Sequence, residues 1–370
     1  MDLTRRRLLA AGAVTAFSGG VAGCLDRSGG QTGGETTGTT AQASFFVFGD
    51  VTSQVAGDAA NADLLVPVGQ HGHGWEPGPR VREEIHGADL FVHGMDGFQP
   101  WVDDIKRDLD ADGSDVVPID ASAGISLIEA GHSDHQENHE DEHNHEDEHN
   151  HEDEHNHEDE HNHEDEHNHE DEHNHEDEHN HEDEEGHGHD HSGGMDPHFW
   201  MDPLRVKEAV GNVRRGLTEV DAEDADVYAE NAEAFNGRLD DLHERIETIV
   251  ADASNDVILI AGHDSFGYFS DRYGVRIEAL TSVSPDDIPT PRDIEAAQEV
   301  ISTHDLRYIC ADPLESQAAA EQLVAETDAE EVLPLTAMPG LTDEWAGDEW
   351  GYLDVMENVN LPTIERVLNA

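Results

Sequence analysis

The chain has 370 residues and a formal net charge of -67 at pH 7, with 86 acidic side chains against 19 basic ones. Such an excess of negative charge repels nucleic acid and attracts cations, which argues against a nucleic-acid partner. The length, less a leader and an insertion, leaves room for two domains of ordinary size. Of the acids, 28 lie in residues 132–191, yet outside them acids still outnumber bases by 58 to 19. Acidity spread along a whole chain is typical of adaptation to high salt.

The first residues of the chain are predicted to form an export leader. Three arginines at positions 5–7 precede a short run of small apolar residues, which resembles a twin-arginine signal and is too short to span a membrane. Residues 21–24 resemble a lipobox, so Cys24 is the expected lipidation site. We therefore expect a leader over residues 1–24, a lipid anchor on the outer face of the cytoplasmic membrane, and a flexible stalk over residues 25–43.

Strands and helices are predicted to alternate in the first lobe, residues 44–220, which is typical of a parallel α/β sheet. Apolar runs predict strands at 44–49, 64–68, 88–93 and 116–119, and helices are predicted at 52–62, 100–109 and from Pro203 to about 220. Residues 69–79, dense in glycine and proline, indicate a structured loop after the second strand. Ligands of open α/β sheets lie where strands end.

A histidine-rich insertion interrupts this lobe. It repeats Glu-Asp-Glu-His-Asn-His seven times from Glu140 to His181, and residues 132–191 hold twenty of the chain's 28 histidines. With almost no apolar residue, it is expected to be a disordered loop over residues 131–194. Imidazole and carboxylate at this density suit zinc, or nickel or copper, and predict a low-affinity metal collector. A solvated acidic spacer is the alternative, but it would not explain the regular histidines.

The longest periodic segment predicts a helix that joins two lobes. Its apolar residues recur at intervals of three and four, which places them on one helical face: Tyr228, Ala232, Phe235, Leu239, Leu242, Ile246 and Ile249. We interpret residues 221–252 as a linker helix, with a lone coiled coil as the alternative.

Residues 253–370 are predicted to repeat the first architecture. Strands are predicted at 257–260, 275–280, 307–310 and 331–335, and helices at 291–304, 316–327 and 352–368. The predicted fold is therefore α/β with two lobes, each a parallel sheet flanked by helices, joined by one long helix.

Three histidines outside the insertion occupy short turns beside strands or helices. His73, His198 and His263 come from separate segments of both lobes, so they could converge on a cleft between the lobes. A single histidine is weak evidence for a ligand. Their joint placement, together with a cation-attracting insertion, predicts a metal site.

Four blocks of sequence, residues 69–79, 196–203, 262–269 and 352–358, resemble the zinc and manganese solute-binding proteins of ABC importers. The resemblance covers roughly residues 44–370. It implies a rigid linker helix, a monomer, and one metal ion held between the lobes. The implied partners are a membrane permease and a cytoplasmic ATPase.

The resemblance also assigns metal ligands. It places the first three on His73, His198 and His263, and the fourth position near Glu315 and Asp312. Glu76 is a further candidate for this fourth position. Manganese-type members carry a carboxylate where His263 stands, so three imidazoles favour Zn2+ as the transported ion, with manganese as the alternative.

One departure from the family pattern lies beside the first ligand. The family usually has Asp-Pro before this histidine, whereas this chain has His71 and Gly72. The extra imidazole of His71 could join the site or deliver metal to it. Asp196 and Asp264 could fix a histidine tautomer, or could be turn or cap residues.

Two other classes of protein were weighed. Three histidines with an open fourth position also describe hydrolytic zinc sites, but no His-Glu-x-x-His helix or nucleophile elbow appears, so we expect no enzyme. A surface metal buffer or adhesin, in which the insertion is the functional part, is the other alternative. After processing, Cys310 is the sole remaining cysteine, which rules out an intramolecular disulfide.

Overall fold

The computed structural model describes residues 38–130 and 194–370, which belong to one compact unit that begins at Gly38. The predicted leader with Cys24, most of the stalk and the histidine-rich insertion lie outside these residues. Within the two described ranges, no helix combines the length and the apolar character that crossing a membrane requires.

The first sheet has four parallel strands in the order β2-β1-β3-β4. Its strands are β1 (Thr39–Ala43), β2 (Ala60–Leu64), β3 (Leu90–His93) and β4 (Val117–Asp120), and its helices are α1 (Phe46–Ala56), α2 (Pro79–His86) and α3 (Pro100–Asp112). β3 is buried along its whole length, as expected for a parallel strand covered on both faces. All four strands run the same way, so the loops that follow them meet at one edge of the sheet.

Two helices connect the sheets, α4 (Pro203–Val220) and α5 (Ala225–Ala251). Asp202 caps α4, because its side chain accepts a hydrogen bond from Leu204 N at 3.0 Å and Pro203 presets the first turn. α5 is the predicted long helix between the lobes, 27 residues long. It packs against α1 and α4 of the first lobe and against the helix Leu361–Leu368 of the second. Six of the seven residues in its apolar stripe are buried and Ile249 is half-buried, so the stripe is core and not a coiled-coil seam.

The second sheet repeats the arrangement of the first, with parallel strands in the order β6-β5-β7-β8. Its strands are β5 (Val257–His263), β6 (Arg276–Thr281), β7 (Tyr308–Ala311) and β8 (Glu331–Pro334). The helices of this lobe are α6 (Gly267–Tyr273), α7 (Pro291–His304), α8 (Ala318–Glu326), α9 (Asp343–Gly347), α10 (Tyr352–Val355) and α11 (Leu361–Leu368). The predicted fold class is confirmed by these two sheets and the helix between them.

The predicted start of the first lobe was wrong. Residues 44–49 were predicted as a strand after a stalk ending at 43, but β1 occupies Thr39–Ala43 and the apolar run opens helix α1. α1 is buried around most of its circumference, so its sequence lacks the helical period and reads like a buried strand. The next two elements were misplaced as well. The helix predicted at 52–62 is α1 at 46–56, and the strand predicted at 64–68 is β2 at 60–64. Helix α2 was missed.

The predicted last helix, residues 352–368, is interrupted by a π-helical segment, Met356–Asn360. This irregular turn directs the buried Asn360 side chain at the chain after β8. Its amide donates to Thr336 O at 2.8 Å and its carbonyl accepts from Thr336 N at 3.0 Å. The π-helical segment therefore lets Asn360 satisfy the hydrogen-bonding needs of the buried N–H and C=O groups of Thr336.

We expect the α5 stripe to dominate the stability of the joined lobes. Leu239 is fully buried, so Leu239→Ala should lower the free energy of unfolding by about 2–5 kcal/mol, because it removes apolar contact and leaves a cavity. Glu233→Ala, at an exposed position of the same helix, should change it by less than about 0.5 kcal/mol. Denaturant titration of the metal-free protein measures both. Equal effects of the two substitutions would show that the stripe is not part of the core.

Candidate metal site

Three histidines meet where the loops of the two lobes face each other. His73 follows β2, His198 precedes the 3₁₀ turn Phe199–Met201, and His263 is the last residue of β5. One potential ligand atom from each lies within 4.8 Å of the others. The ring centroids of His198 are 5.1 Å from His73 and 5.3 Å from His263. The structure therefore brings together the three residues that the sequence placed on separate segments.

The loop that carries His73 is fixed by backbone contacts to the second lobe. Gly69 N donates to Leu341 O and Gly72 N donates to Pro339 O, each at 2.8 Å. A Cβ on Gly72 would lie 2.7 Å from both the Phe45 ring and Pro339 O, so only glycine fits there. The His73 ring then packs edge-on against Phe98, with a centroid distance of 4.9 Å. Backbone and aromatic contacts together orient this side chain.

His198 is oriented by a carboxylate. Its Nδ1 lies 2.8 Å from Asp196 Oδ1, which also accepts a hydrogen bond from His198 N at 2.8 Å. If Nδ1 carries the proton, Nε2 is left with a lone pair. This Nε2 is buried and has no hydrogen-bond partner within residues 38–130 and 194–370. Asp196 thus serves both as the predicted turn residue and as the acceptor that fixes the tautomer.

His263 contacts a carboxylate of its own lobe, because its Nδ1 lies 2.8 Å from Glu315 Oε1. Its Nε2 is buried and has no hydrogen-bond partner among the described residues. Glu315 has room beside the end of β5 because Gly262 lacks a side chain: a Cβ there would lie 2.8 Å from Glu315 Oε2. Leaving a buried polar atom unpaired costs free energy of about 1–3 kcal/mol. Two such imidazole nitrogens facing one point are what a bound cation would satisfy.

Electrostatics favours the neutral forms of His73 and His198, in which an imidazole nitrogen can bind a metal ion. Burial lowers the pKa of His73 well below its usual value, and the neighbouring rings of His198, His71 and His263 lower it further. Burial also lowers the pKa of His198, although Asp196 opposes the shift. Burial would raise the pKa of Glu315, but the contacts with His263 and His71 outweigh it and hold the pKa at about 2. The imidazoles of His73 and His198 are therefore neutral at neutral pH, while the carboxylate of Glu315 is ionised.

The remaining candidates do not belong to the three-histidine group. Asp312 is buried and its oxygens are already used: Oδ1 accepts from Leu314 N at 2.8 Å and Oδ2 from Thr336 Oγ1 at 2.5 Å. Its burial raises its pKa to about 6. The ring of His71 lies 5.0 Å from that of His73, outside the group, and its Nε2 is 3.4 Å from Glu315 Oε1. Glu76 is exposed.

A cavity of about 570 Å3 connects the site to solvent. It reaches His73, and its walls come from both lobes: Trp75, Glu76, Asp96 and Trp101 from the first and Val283 to Asp286 from the second. Ala130, Gly194 and Met195, the described residues on either side of the insertion, also line it. Cations that enter the cleft therefore pass carboxylates and the two ends of the insertion.

The contacts that lock the site were not visible in the sequence. The chain segment 339–341 that holds the His73 loop comes more than 260 positions later, and its Pro-Gly pair indicates a turn without indicating its partner. Asp264, weighed as a tautomer-fixing residue, donates its backbone N–H to the carbonyls of Thr281 and Ser282 in the turn after β5.

Two parallel sheets, one long helix between them and an imidazole cluster in the cleft define a two-lobed metal-binding solute-binding protein. Residues 42–367 match the family described as zinc-uptake complex component A, periplasmic (ZnuA). The chain belongs to this family, which confirms the predicted class, a solute-binding protein of a metal ABC importer and not an enzyme.

Individual relatives agree with this assignment. The high-affinity zinc uptake system protein ZnuA of Bacillus subtilis is 24% identical over 313 residues, covering 85% of this chain and 82% of that protein. The zinc-binding lipoprotein AdcA of Streptococcus pneumoniae is 25% identical over 328 residues, 87% of this chain but 54% of AdcA. The chain thus spans about half the length of AdcA.

Solved structures show the same fold. The Zn(II)-bound ZnuA-like domain of S. pneumoniae AdcA superimposes with a TM-score of 0.64 at 22% identity, over 90% of this chain and all of that one. The metal-dependent lipoprotein YcdH of B. subtilis gives 0.63 at 23% identity, over 89% and 99%.

Gly72 provides a test of the locked loop. We expect Gly72→Ala to destabilise the fold by about 1–3 kcal/mol and to weaken metal binding, because the added methyl group must displace Phe45 or the chain at Pro339. Gly74→Ala is the matched control, since a Cβ at Gly74 meets nothing within 4 Å. Thermal melting and zinc competition titration measure the two effects. If Gly74→Ala is equally disruptive, the contact with Pro339 does not fix the site.

The lowered pKa values predict how binding depends on pH. Protonation competes with metal only below the pKa of a ligand, so the cleft should keep its zinc affinity as pH falls below 6.5, the usual histidine value. Metal held by histidines of the insertion should be released between about pH 7 and 5, the range in which histidine titrates in model peptides. The apo fold should lose stability over the same fall, because the unfolded chain takes up protons first. Chelator titrations at several pH values separate the two classes, and parallel weakening would contradict a preorganised cleft.

Proposed function

We propose that this protein is an extracellular zinc-binding protein that carries Zn2+ in the cleft and delivers it to the permease of an ABC importer driven by a cytoplasmic ATPase. The observation that carries the proposal is the convergence of His73, His198 and His263, with the Nε2 atoms of His198 and His263 buried and unpartnered. Family membership supports the transport role, and the relatives named for zinc support the choice of ion.

The donor set favours zinc over manganese. Imidazole nitrogens are borderline-soft donors, and three of them suit Zn2+, whereas Mn2+ prefers sites rich in oxygen. Zinc takes four ligands in a tetrahedron, so three histidines leave one position. Glu315 is the nearer of the two carboxylate candidates for it, because Asp312 is engaged with Thr336 and Leu314. Solvent from the cavity could fill the position instead.

The arrangement suits capture followed by transfer. The carboxylates of Asp196 and Glu315 hold two of the rings with their free nitrogens facing inward, so little ordering remains to be done when the ion binds. The ligands come from both lobes, at the ends of loops. Release can therefore follow a small displacement of one loop and does not require the lobes to unfold.

We further propose that Cys24 anchors the protein, as a monomer, to the outer face of the membrane and that the insertion collects zinc beside the cleft. The proposal for the insertion is supported by the pairing of Glu129 with Met195 and by the hydrogen bond from Ala130 N to Gly194 O at 2.8 Å. They hold the two described ends of the insertion together at the rim of the cavity that leads to His73.

Histidine substitutions in the full chain test the cleft as the zinc site. With a chelator that strips weakly held metal, the unaltered protein should retain one Zn2+. His198→Ala should lower the affinity of this tight site by more than about 100-fold, because loss of a ligand exceeds the roughly 10–100-fold effect of its outer partners. His86→Ala, an exposed histidine on α2, is the matched control.

Exchange of the third ligand tests metal choice. His263→Asp should lower the zinc-to-manganese affinity ratio, because a carboxylate hardens the site. An unchanged ratio would mean that His263 does not touch the metal. If His198→Ala and His263→Asp both leave the tight site intact, the insertion is the binding element and the protein is better described as a surface metal buffer.

A further inference from the structure

His71 and Glu315 face each other across the mouth of the cleft. His71 lies in the loop after β2 and Glu315 in the turn after β7, so the pair joins the two lobes. His71 Nε2 lies 3.4 Å from Glu315 Oε1. Both side chains line a second, open cavity of about 300 Å3. Its other walls are Gln70, Gly74, Trp75, Pro285 and Asp286.

The position of His71 has no explanation in the three-histidine site. It lies outside the group of three histidines whose ligand atoms lie within 4.8 Å of one another. Its Nε2 is nevertheless buried and makes no hydrogen bond to any residue that the structure describes. Backbone bonds at Gly69 and Gly72 hold the loop on either side of it, so the ring is kept there by the fold. A buried imidazole nitrogen held 3.4 Å from a carboxylate oxygen, with no hydrogen bond between them, indicates a place for a cation.

The spacing of the pair fits zinc without adjustment. Zinc bonds to histidine nitrogen and carboxylate oxygen measure about 2.0–2.2 Å, so two neighbouring ligand atoms on a tetrahedron lie about 3.3–3.5 Å apart. The observed separation between His71 Nε2 and Glu315 Oε1 is 3.4 Å. Exposed Asp286 adds a second carboxylate on the wall of the same cavity.

We propose that His71 and Glu315 form an outer metal site, which receives Zn2+ from solvent and passes it to His73, His198 and His263. This inference rests on the proposed function of the inner cleft. Two protein ligands, with water completing the shell, hold an ion weakly enough to let it go. The ring centroids of His71 and His73 are 5.0 Å apart, so the next ligand lies beside the first.

Glu315 couples the outer site to the inner one. The same oxygen, Oε1, lies 3.4 Å from His71 Nε2 and 2.8 Å from His263 Nδ1. An ion on the outer site therefore competes for the carboxylate that orients His263. Movement of the ion to the inner site returns Glu315 to His263, which makes the outer position a place of passage and not of storage.

A group that touches the ion only in passage changes the barrier and not the end states. His71→Ala should therefore slow zinc entry and zinc release by the same factor, about tenfold, and leave the equilibrium affinity of the tight site within about twofold. A fourth ligand of the inner site would behave differently. Its loss would raise the dissociation constant, mainly through faster release.

Stopped-flow mixing of the full chain with Zn2+ tests this prediction. Trp75 and Trp101 line the cavities, while the insertion contains no tryptophan, so tryptophan fluorescence reports the cleft. Chelator competition gives the equilibrium affinity, and His86→Ala is the matched control. A higher dissociation constant with unchanged entry would make His71 an inner ligand and overturn the proposal. Unchanged rates and affinity in His71→Ala would overturn it as well.

Crystals of the His198→Ala variant soaked in Zn2+ give a direct second test. With the inner site disabled, anomalous density should appear between His71 Nε2 and Glu315 Oε1, and it should vanish in the variant that also carries His71→Ala. Absence of that density in His198→Ala would refute the outer site. The proposed function fails separately, if His198→Ala keeps the tight zinc affinity of the unaltered protein.

Discussion

The geometry of the cleft depends on the ion pair and the hydrogen bond made by the fully buried carboxylate of Asp202. It caps α4 of the first lobe through Leu204 N and pairs with Arg272 of the second lobe, whose Nη2 lies 2.7 Å from Oδ2. A buried charge is costly unless it is paired and hydrogen-bonded, and loss of one partner is more costly still. Because Asp202 follows His198 by four residues, the pair fixes the distance of this ligand from the second lobe.

The neighbouring turn extends the same connection. Trp200 Nε1 donates to Ala337 O and Tyr352 Oη donates to Trp200 O, each at 2.7 Å. Tyr268 Oη donates to Asp196 O at 2.6 Å and accepts from Ile128 N at 3.1 Å. Residues 196–202 are thus hydrogen-bonded to Tyr268, Ala337 and Tyr352 of the second lobe. Since the imidazole of His198 sits in this segment, metal affinity and the association of the two lobes rest on the same hydrogen bonds.

The charge of the protein acts at longer range than these contacts. Exposed ion pairs such as Arg307 with Glu330 are solvated and screened by salt, so they do not explain the fold. The net charge of -67 instead creates a field that attracts cations. Within that field the cleft selects by donor type, because buried neutral imidazoles favour zinc over the harder cations that acidic surfaces also attract.

The sequence by itself determined the repeated features of this protein. Periodicity identified α5 and its buried stripe, alternation identified two parallel sheets, and the motif blocks identified His73, His198 and His263. Each of these signals depends on residues that are close in the sequence, so it can be recognised without the tertiary structure. Helix α1 shows the limit of local signals, because a helix buried on nearly every side has no polar face to reveal its period.

Only the tertiary structure decided what surrounds the three histidines. It placed Glu315 and not Asp312 beside His263, because Thr336 and Leu314 already bind the Asp312 oxygens. It set His71 opposite Glu315, and it showed that Gly72 is held by Pro339. The partners in the last two pairs, His71 with Glu315 and Gly72 with Pro339, are separated by more than 240 residues and meet only because two lobes close on one another. Contacts of this kind depend on how elements pack, which the residue pattern within each element does not encode.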